Sequence, residues 1–160
     1  QDQSVPGGRF LYKKQAKADC IEFIEGQSVT GSHDGYTRLK DPVVHTRNIS
    51  LDSDHQEIII NDTLTCKSKH SLNQYFHYNP SCQVKRIEEY IYECNLLDKT
   101  RLRFILDSQL GWNIKSGCEK EPLGWYSPRY NEKIPAPSLL GEMQFQSSVN
   151  LTSQIKLFNN

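Results

Sequence analysis

Two short stretches of this 160-residue chain bring together side chains that can perform acid–base chemistry. The stretch SHDGY contains His33 and Tyr36, and the stretch HTR contains His45 and Arg47. A Tyr can act as a general acid or base beside a leaving oxygen, and an Arg can stabilise a carboxylate that becomes enolate-like. Residues two apart on a strand share a face, so His45 and Arg47 are predicted to lie side by side. Such a set can perform proton transfer on a sugar acid. The alternative is that the histidines have only structural partners at a strand surface.

The remaining chemistry-bearing residues show no such grouping. His70 and His77 are seven apart on a predicted strand, which places them on opposite faces and argues against a shared metal. No P-loop, GxGxxG, GxSxG or HExxH motif occurs, so the sequence predicts no nucleotide site, hydrolase elbow or zincin. The five Cys are odd in number and lack CxxC spacing, which argues against zinc ribbons and thioredoxin-like chemistry. Most of them are predicted to be small buried hydrophobes.

The elements that must position these residues are strands, because apolar and polar residues alternate between turn residues along most of the chain. The predicted strands cover residues 28–33, 42–51, 56–60, 71–78, 101–106, 112–114, 142–146 and 149–158. The second and third of them are predicted to form a hairpin, and Asn61-Asp62 is predicted to be a turn after the third. In total we expect roughly ten to thirteen short strands. The sequence therefore predicts an all-β fold, an antiparallel β-sandwich, as a single domain over residues 1–160.

The front of the chain is predicted to lack a neighbouring strand. Residues 1–8 have the composition of a turn between two strands, and the strand before that turn is absent from the sequence. An antiparallel sheet that lacks one strand exposes an unpaired edge. Either the missing strand belongs to the same protein, or this chain pairs with a second copy as a homodimer.

Composition and the lengths of the apolar runs argue against nucleic acid and membranes as partners. Lys plus Arg and Asp plus Glu each number 19, so the formal net charge is zero and a dedicated nucleic-acid binder is disfavoured. No apolar run approaches the roughly 18 residues of a membrane span, so no membrane partner is predicted. Hydrophobic residues make up only 36% of the chain and mean hydropathy is −0.66, but aromatic residues at 10% provide large anchors for a thin core.

Several segments in succession resemble the C-terminal β-sandwich of heparinase II/III-like proteins. These segments are SHDGY at 32–36, PVVHTR at 42–47, IIIND at 58–62, YFHYNP at 75–80 and GWYSPRY at 124–130. Their order and spacing are similar to the family pattern across roughly residues 1–135. The resemblance implies a bacterial polysaccharide lyase that performs β-elimination on an acidic, uronic-acid-containing polysaccharide. It also implies an N-terminal α/α-toroid domain, with the site in a cleft between that toroid and the sandwich.

The resemblance also implies roles for particular residues. In the family the toroid supplies a catalytic Tyr and an Asn or His, and the sandwich adds a His from a strand that would lie upstream of this chain. The chain is therefore expected to hold no complete catalytic set, to form one wall of the cleft and to be inactive alone. Tyr36 resembles a substrate-facing Tyr, and His33 and Arg47 are the other cleft candidates. Asp19 and His45 resemble two ligands of a structural divalent metal, zinc or calcium.

Two other functions remain open from the sequence. The first is a non-catalytic carbohydrate-binding sandwich, in which aromatic residues stack on sugar rings. The candidates for stacking are Trp112, Trp125, Tyr126 and Tyr130. The second is a structural scaffold that packs on a partner domain, for which an exposed apolar patch would be the sign. The family suggests a periplasmic or secreted protein, whereas the odd number of Cys fits a reducing cytoplasm equally well.

Overall fold

A computed structural model of the chain describes residues 2–8, 11–96 and 100–158. These residues form strands, turns and loops, and they contain no helix that is long and apolar enough to cross a membrane. The strands in chain order are β1 (Val5–Gly8), β2 (Leu11–Lys14), β3 (Ala18–Ile24), β4 (Ser28–His33), β5 (Val44–Asp52), β6 (Glu57–Thr65), β7 (His70–His77), β8 (Gln83–Glu88), β9 (Ile91–Asn95), β10 (Arg101–Ile105), β11 (Gly111–Lys115), β12 (Trp125–Tyr126), β13 (Ile134–Pro135), β14 (Ser138–Phe145) and β15 (Ser148–Phe158).

Most strands belong to two antiparallel sheets. The large sheet has eight strands in the order β3-β4-β5-β6-β15-β10-β9-β8, and the small sheet has three in the order β11-β14-β7. Two separate hairpins, β1-β2 and β12-β13, complete the described part of the chain. The long strand β15 lies between β6 and β10, and it joins two runs of sequence-adjacent hairpins into one continuous sheet.

The core lies between the two sheets. Along β6 the residues that face the small sheet alternate with exposed ones, and Ile60 and Leu64 are both buried. Across the interface, the ring of Phe104 in the large sheet packs edge-on against Phe76 in the small sheet, with ring centroids 6.0 Å apart. Burial of alternate residues from both sheets is the stabilising arrangement of a sandwich. The predicted all-β antiparallel sandwich is therefore confirmed.

One close approach in the small sheet requires a glycine. Trp112 on β11 pairs with Gly141 on β14, and the indole ring lies across the Gly141 backbone. A Cβ atom at position 141 would lie 2.7 Å from two carbon atoms of that ring, well inside van der Waals contact. The absence of a side chain at Gly141 thus provides the space in which Trp112 is buried.

The structure corrects two local predictions. The hairpin of β5 and β6 is present, but the turn predicted at Asn61-Asp62 is wrong because β6 continues to Thr65 and both residues pair with β5 and β15. The turn predicted over residues 1–8 is also wrong in part, since Val5–Gly8 is a strand that pairs with β2. In both places turn-forming residues are held in extended backbone by pairing with a neighbouring strand, which local propensity does not register.

Candidate functional site

The centre of the candidate site is Asp62, a buried carboxylate in the middle of β6 that is only 3% exposed. His45 Nε2 donates to its Oδ1 at 2.7 Å. Arg47 binds both oxygens, with Nε 2.7 Å from Oδ1 and Nη2 2.9 Å from Oδ2. From the opposite sheet, Gln74 Nε2 donates to Oδ2 at 2.8 Å. A two-point guanidinium–carboxylate pair fixes orientation as well as charge, so Asp62 determines the positions of the two β5 side chains.

His45 and Arg47 lie on one face of β5, as their spacing predicted. The register pairs Arg47 with Asp62 and His45 with Leu64, whose buried side chain faces the core. On the other side of β5, His33 is the direct cross-strand neighbour of His45. Adjacent cross-strand pairs on one face are close enough for side-chain contact. The sheet register therefore brings His33, His45, Arg47 and Asp62 into one group, which we call the His33–Asp62 cluster.

Hydrogen bonds run in one direction along this cluster. The backbone N–H of Gly35 donates to His33 Nδ1 at 3.1 Å, which places the proton of a neutral His33 on Nε2. His33 Nε2 lies 3.1 Å from His45 Nδ1, and His45 Nε2 lies 2.7 Å from Asp62 Oδ1. With both histidines neutral, each ring accepts on one nitrogen and donates on the other. The Gln3 side-chain amide also lies 2.8 Å from His33 Nε2, and in this assignment its oxygen, not its nitrogen, faces the ring and shares the His33 proton. The result is a continuous path from a loop backbone amide to a buried carboxylate.

The charge states follow from burial and hydrogen bonding. Burial by itself raises the pKa of Asp62, but hydrogen bonds from His45 and Arg47 and the Arg47 charge outweigh burial and hold the pKa below its usual value. Burial lowers the pKa of His33, the nearby His45 and Arg47 lower it further, and Asp34 opposes them. The cluster therefore favours an ionised Asp62 beside a neutral His33.

This arrangement predicts a stability change with pH. The pKa of His33 in the folded chain lies below the usual 6.5, so as pH falls through that value the unfolded chain takes up the proton first and folding becomes less favourable. We expect the melting temperature to decline between about pH 7.5 and about pH 5.5, and His33→Gln to reduce that decline. Scanning fluorimetry across this range measures both. His77→Gln leaves the cluster intact and should retain the decline. An unchanged pH profile for His33→Gln would contradict the assignment.

Tyr36 connects the cluster to an open groove of about 1040 Å³. Its ring packs edge-on against His33 with centroids 5.3 Å apart, and Tyr36 also lines the groove. Burial raises the pKa of the Tyr36 phenol, and the nearby Asp2 raises it further, so the phenol is held in its protonated form. The other groove residues are Asp2, Gln3, Leu39, Lys40, Asp41, Val43, Leu64, Ser68, Lys69, His70, Ser71, Leu72, Asn73, Tyr75 and Phe145.

The predicted metal pair, Asp19 and His45, is not brought together. Asp19 pairs with Ser32, one position away from the row in which His33 pairs with His45. Successive strand residues point to opposite faces of a sheet, so Asp19 and His45 lie on opposite faces. Both ring nitrogens of His45 also have protein partners. These two residues do not fit a shared divalent ion, and we assign no chemistry to a metal at this position.

The aromatic residues proposed for sugar stacking are in different environments. Trp112 is 5% exposed and belongs to the core, so its prediction as a sugar-stacking residue is wrong. Trp125 donates its indole N–H to the Cys118 carbonyl, and the Lys133 ammonium lies 4.0 Å from the centre of its ring. Only Tyr126 and Tyr130 are largely exposed. Among the four candidates, only these two tyrosines, in and beside the β12-β13 hairpin, are exposed enough to stack on a sugar ring.

Sequence analysis missed the two residues that hold the cluster together, Asp62 and Gln74. A signal for Asp62 is present in the sequence, because Ile60, Asp62 and Leu64 continue the period-2 pattern of β6. An acidic residue within an apolar alternation is rarely buried unless it is paired. No comparable signal marks Gln74, because its partner Asp62 belongs to the other sheet.

Fold and site together define an all-β sandwich domain with an ion-paired cluster beside an open groove. A family model described as heparinase II/III-like, C-terminal, matches residues 1–152. The chain therefore belongs to the heparinase II/III-like C-terminal family. A search of curated proteins finds no significant match.

Several solved structures are similar to this fold. A structure titled heparinase III matches with a TM-score of 0.70 at 11% identity, and a mutant of the heparan sulfate lyase HepC from Pedobacter heparinus matches with 0.68 at 13%. The heparinase III BT4657 gene product matches with 0.67 at 12%. The first two matches cover 92% of this chain and the third 91%, but all cover 22% of the solved chain. At these identities the matches establish the fold.

Proposed function

We propose that this chain is the C-terminal sandwich of a polysaccharide lyase and forms one wall of a cleft for a uronic-acid-containing polysaccharide. The observation that supports this most strongly is the family match over residues 1–152. The proposed reaction is β-elimination, in which the proton next to the uronate carboxylate is removed and the bond to the leaving oxygen breaks. The product is an unsaturated uronate.

The groove beside Tyr36 has the groups that an acidic sugar would contact. Lys40 and Lys69 provide cations, and Tyr36, Asn73 and Tyr75 provide hydrogen-bonding and stacking surface. Arg47 is less suited to neutralise a substrate carboxylate directly, because Asp62 already binds its guanidinium at two points. We therefore assign Arg47 and His45 to positioning His33, and we assign substrate contact to the Tyr36 side of the groove.

An exposed apolar patch supports an N-terminal domain as the partner. On the cluster-bearing face of the large sheet, Phe23 pairs with Val29 and Val29 with Ile49, and the neighbouring pair is Leu51 with Ile58. All five residues are exposed, and Phe23 reaches 68%. Large contiguous apolar patches mark interaction surfaces. We propose that the N-terminal toroid domain covers this patch, which would place it against the His33–Asp62 cluster. The homodimer predicted from the sequence remains a prediction.

A lyase assay tests the proposal. The protein is expressed with any preceding residues that its gene encodes and is incubated with heparan sulfate and with an unsulfated uronate polysaccharide. Formation of unsaturated uronate is followed by ultraviolet absorbance. We expect the whole protein to be active and the 160-residue chain alone to be inactive, with Tyr36→Phe and Lys69→Ala each lowering the rate at least about tenfold.

The matched control is Lys85→Ala on β8, at the far edge of the large sheet, which should leave the rate unchanged. Activity in the 160-residue chain alone would overturn the assignment of the catalytic groups to another domain. Binding of a glycan by the whole protein without any unsaturated product would favour the carbohydrate-binding alternative instead.

A further inference from the structure

A second group of chemistry-bearing side chains lies at the groove, separate from the His33–Asp62 cluster. One ligand atom from each of Asp41, Cys66 and His70 lies within 4.8 Å of the other two. Asp41 belongs to the loop before β5, Cys66 follows β6 directly, and His70 is the first residue of β7. We propose that these three residues form a zinc site. The proposal does not rest on the proposed lyase function, although Asp41 and His70 line the same groove.

The three side chains have the ligand chemistry that zinc prefers. A thiolate, an imidazole and a carboxylate form a borderline-soft set that suits Zn²⁺, whereas Ca²⁺ and Mg²⁺ select oxygen ligands. A zinc ion with one thiolate and one carboxylate is electrically neutral, so no uncompensated charge is created beside the buried Cys66. Binding exchanges the thiol proton of Cys66 for the metal, and His70 keeps its single proton on the ring nitrogen that faces away from the ion.

The distances require only a small adjustment. Tetrahedral zinc with ordinary bond lengths places its ligand atoms roughly 3.3–3.6 Å apart. His70 Nε2 and Asp41 Oδ2 lie 2.9 Å apart, so opening that contact slightly admits the ion between them. The Cys66 Sγ lies 3.0 and 3.2 Å from the Ser68 and Ser147 carbonyl oxygens, which share its single S–H. Rotation of the Cys66 side chain then closes the remaining gap, which is at most about 1.5 Å.

The backbone around the site is already organised. The N–H groups of Lys67 and Ser68 donate to Asp41 Oδ2 at 3.1 and 2.7 Å, which fastens the loop before β5 to the turn that contains Cys66. The His70 ring lies 6.0 Å from that of Phe145, which limits its rotation. Support of this kind around metal ligands is a general feature of zinc sites. Asp41 and His70 also line the open groove, so a fourth position can be filled by water.

Titration with Zn²⁺ alone tests the site on the purified 160-residue chain after chelator treatment. Isothermal calorimetry should give a stoichiometry of one ion per chain. A thermal scan should show that zinc raises the melting temperature, because zinc binds the folded state. Replacement by Co²⁺ should give visible bands of tetrahedral geometry together with a thiolate-to-cobalt charge-transfer band. His70→Gln and Asp41→Asn should each weaken binding at least about 100-fold, and Cys66→Ser should remove the charge-transfer band.

Matched controls separate a built site from adventitious binding. Cys20→Ser removes an exposed thiol and His55→Gln removes an exposed imidazole, and both variants should bind zinc as the wild type does. Ca²⁺ should not bind at the site. The His70 ring is partly exposed, so His70→Gln is expected to fold. It therefore tests the proposal even if Cys66→Ser, which changes a buried residue, does not fold. Absence of stoichiometric binding, a cobalt spectrum without the thiolate band, or undiminished affinity in His70→Gln would overturn the zinc site.

Discussion

Replacement of Asp62 by Asn is expected to lower the free energy of unfolding by about 2–4 kcal/mol. The change removes the charge that pairs with Arg47 and replaces the shared acceptor of His45, Arg47 and Gln74 by an amide. The Asn side chain has one acceptor oxygen where the carboxylate has two, so Arg47 loses its two-point contact and at least one donor of the cluster faces an amide nitrogen. The estimate is below that for a fully buried ion pair because the Arg47 side chain is 42% exposed and keeps some hydration.

Urea denaturation of the wild type and of Asp62→Asn at neutral pH measures the loss of unfolding free energy. We expect the midpoint urea concentration to fall while the dependence of the free energy on urea stays the same. Asp52→Asn is the matched control, because Asp52 lies at the other end of β5 and its carboxylate accepts from the exposed His55. That control should unfold almost as the wild type does. If Asp62→Asn and Asp52→Asn unfold alike, the carboxylate is not what holds the cluster.

Trp112→Ala is expected to cost about 3–5 kcal/mol, the usual penalty for removal of a large buried aromatic side chain. The ring fills the space above Gly141 and packs against Phe76 with centroids 5.9 Å apart. Its indole N–H donates to the Asp107 carbonyl at 2.9 Å, so the variant also loses this hydrogen bond and the carbonyl keeps only the longer one from the Leu110 N–H at 3.4 Å. A cavity between the two sheets would remain, because the paired strands β11 and β14 cannot collapse into it.

Tyr130→Ala is the comparison, since that ring is 90% exposed and should contribute almost nothing to stability. Thermal and urea unfolding of the two variants, with glycan binding measured on the folded fraction of each, distinguishes a core tryptophan from a sugar platform. A Trp112→Ala protein of wild-type stability with reduced glycan binding would contradict burial of Trp112 and restore its role as a stacking residue.

Alternation along the chain was enough to predict most of the longer strands, the all-β class and the hairpin of β5 and β6, but not the strands before residue 28. It also placed His45 and Arg47 on one face, because a strand's period of two is a local property of the backbone. The turn predicted at Asn61-Asp62 was wrong because pairing with distant strands, not a local property, decides the conformation there. Both residues favour turns in isolation, but at this point β6 pairs on both sides, and the register overrides that local preference.

The sequence by itself therefore determined the type of element, the sandwich class and which neighbours on one strand share a face. Only the tertiary structure decided that Asp62 is the centre of the cluster, that Trp112 is buried and that Asp41, Cys66 and His70 meet. Each of these depends on side chains that are distant along the chain. Asp62 is 15 residues from Arg47 and 12 from Gln74, and Asp41 is 29 from His70. Proximity of such residues is set by sheet register and by the stacking of two sheets, which no local pattern encodes.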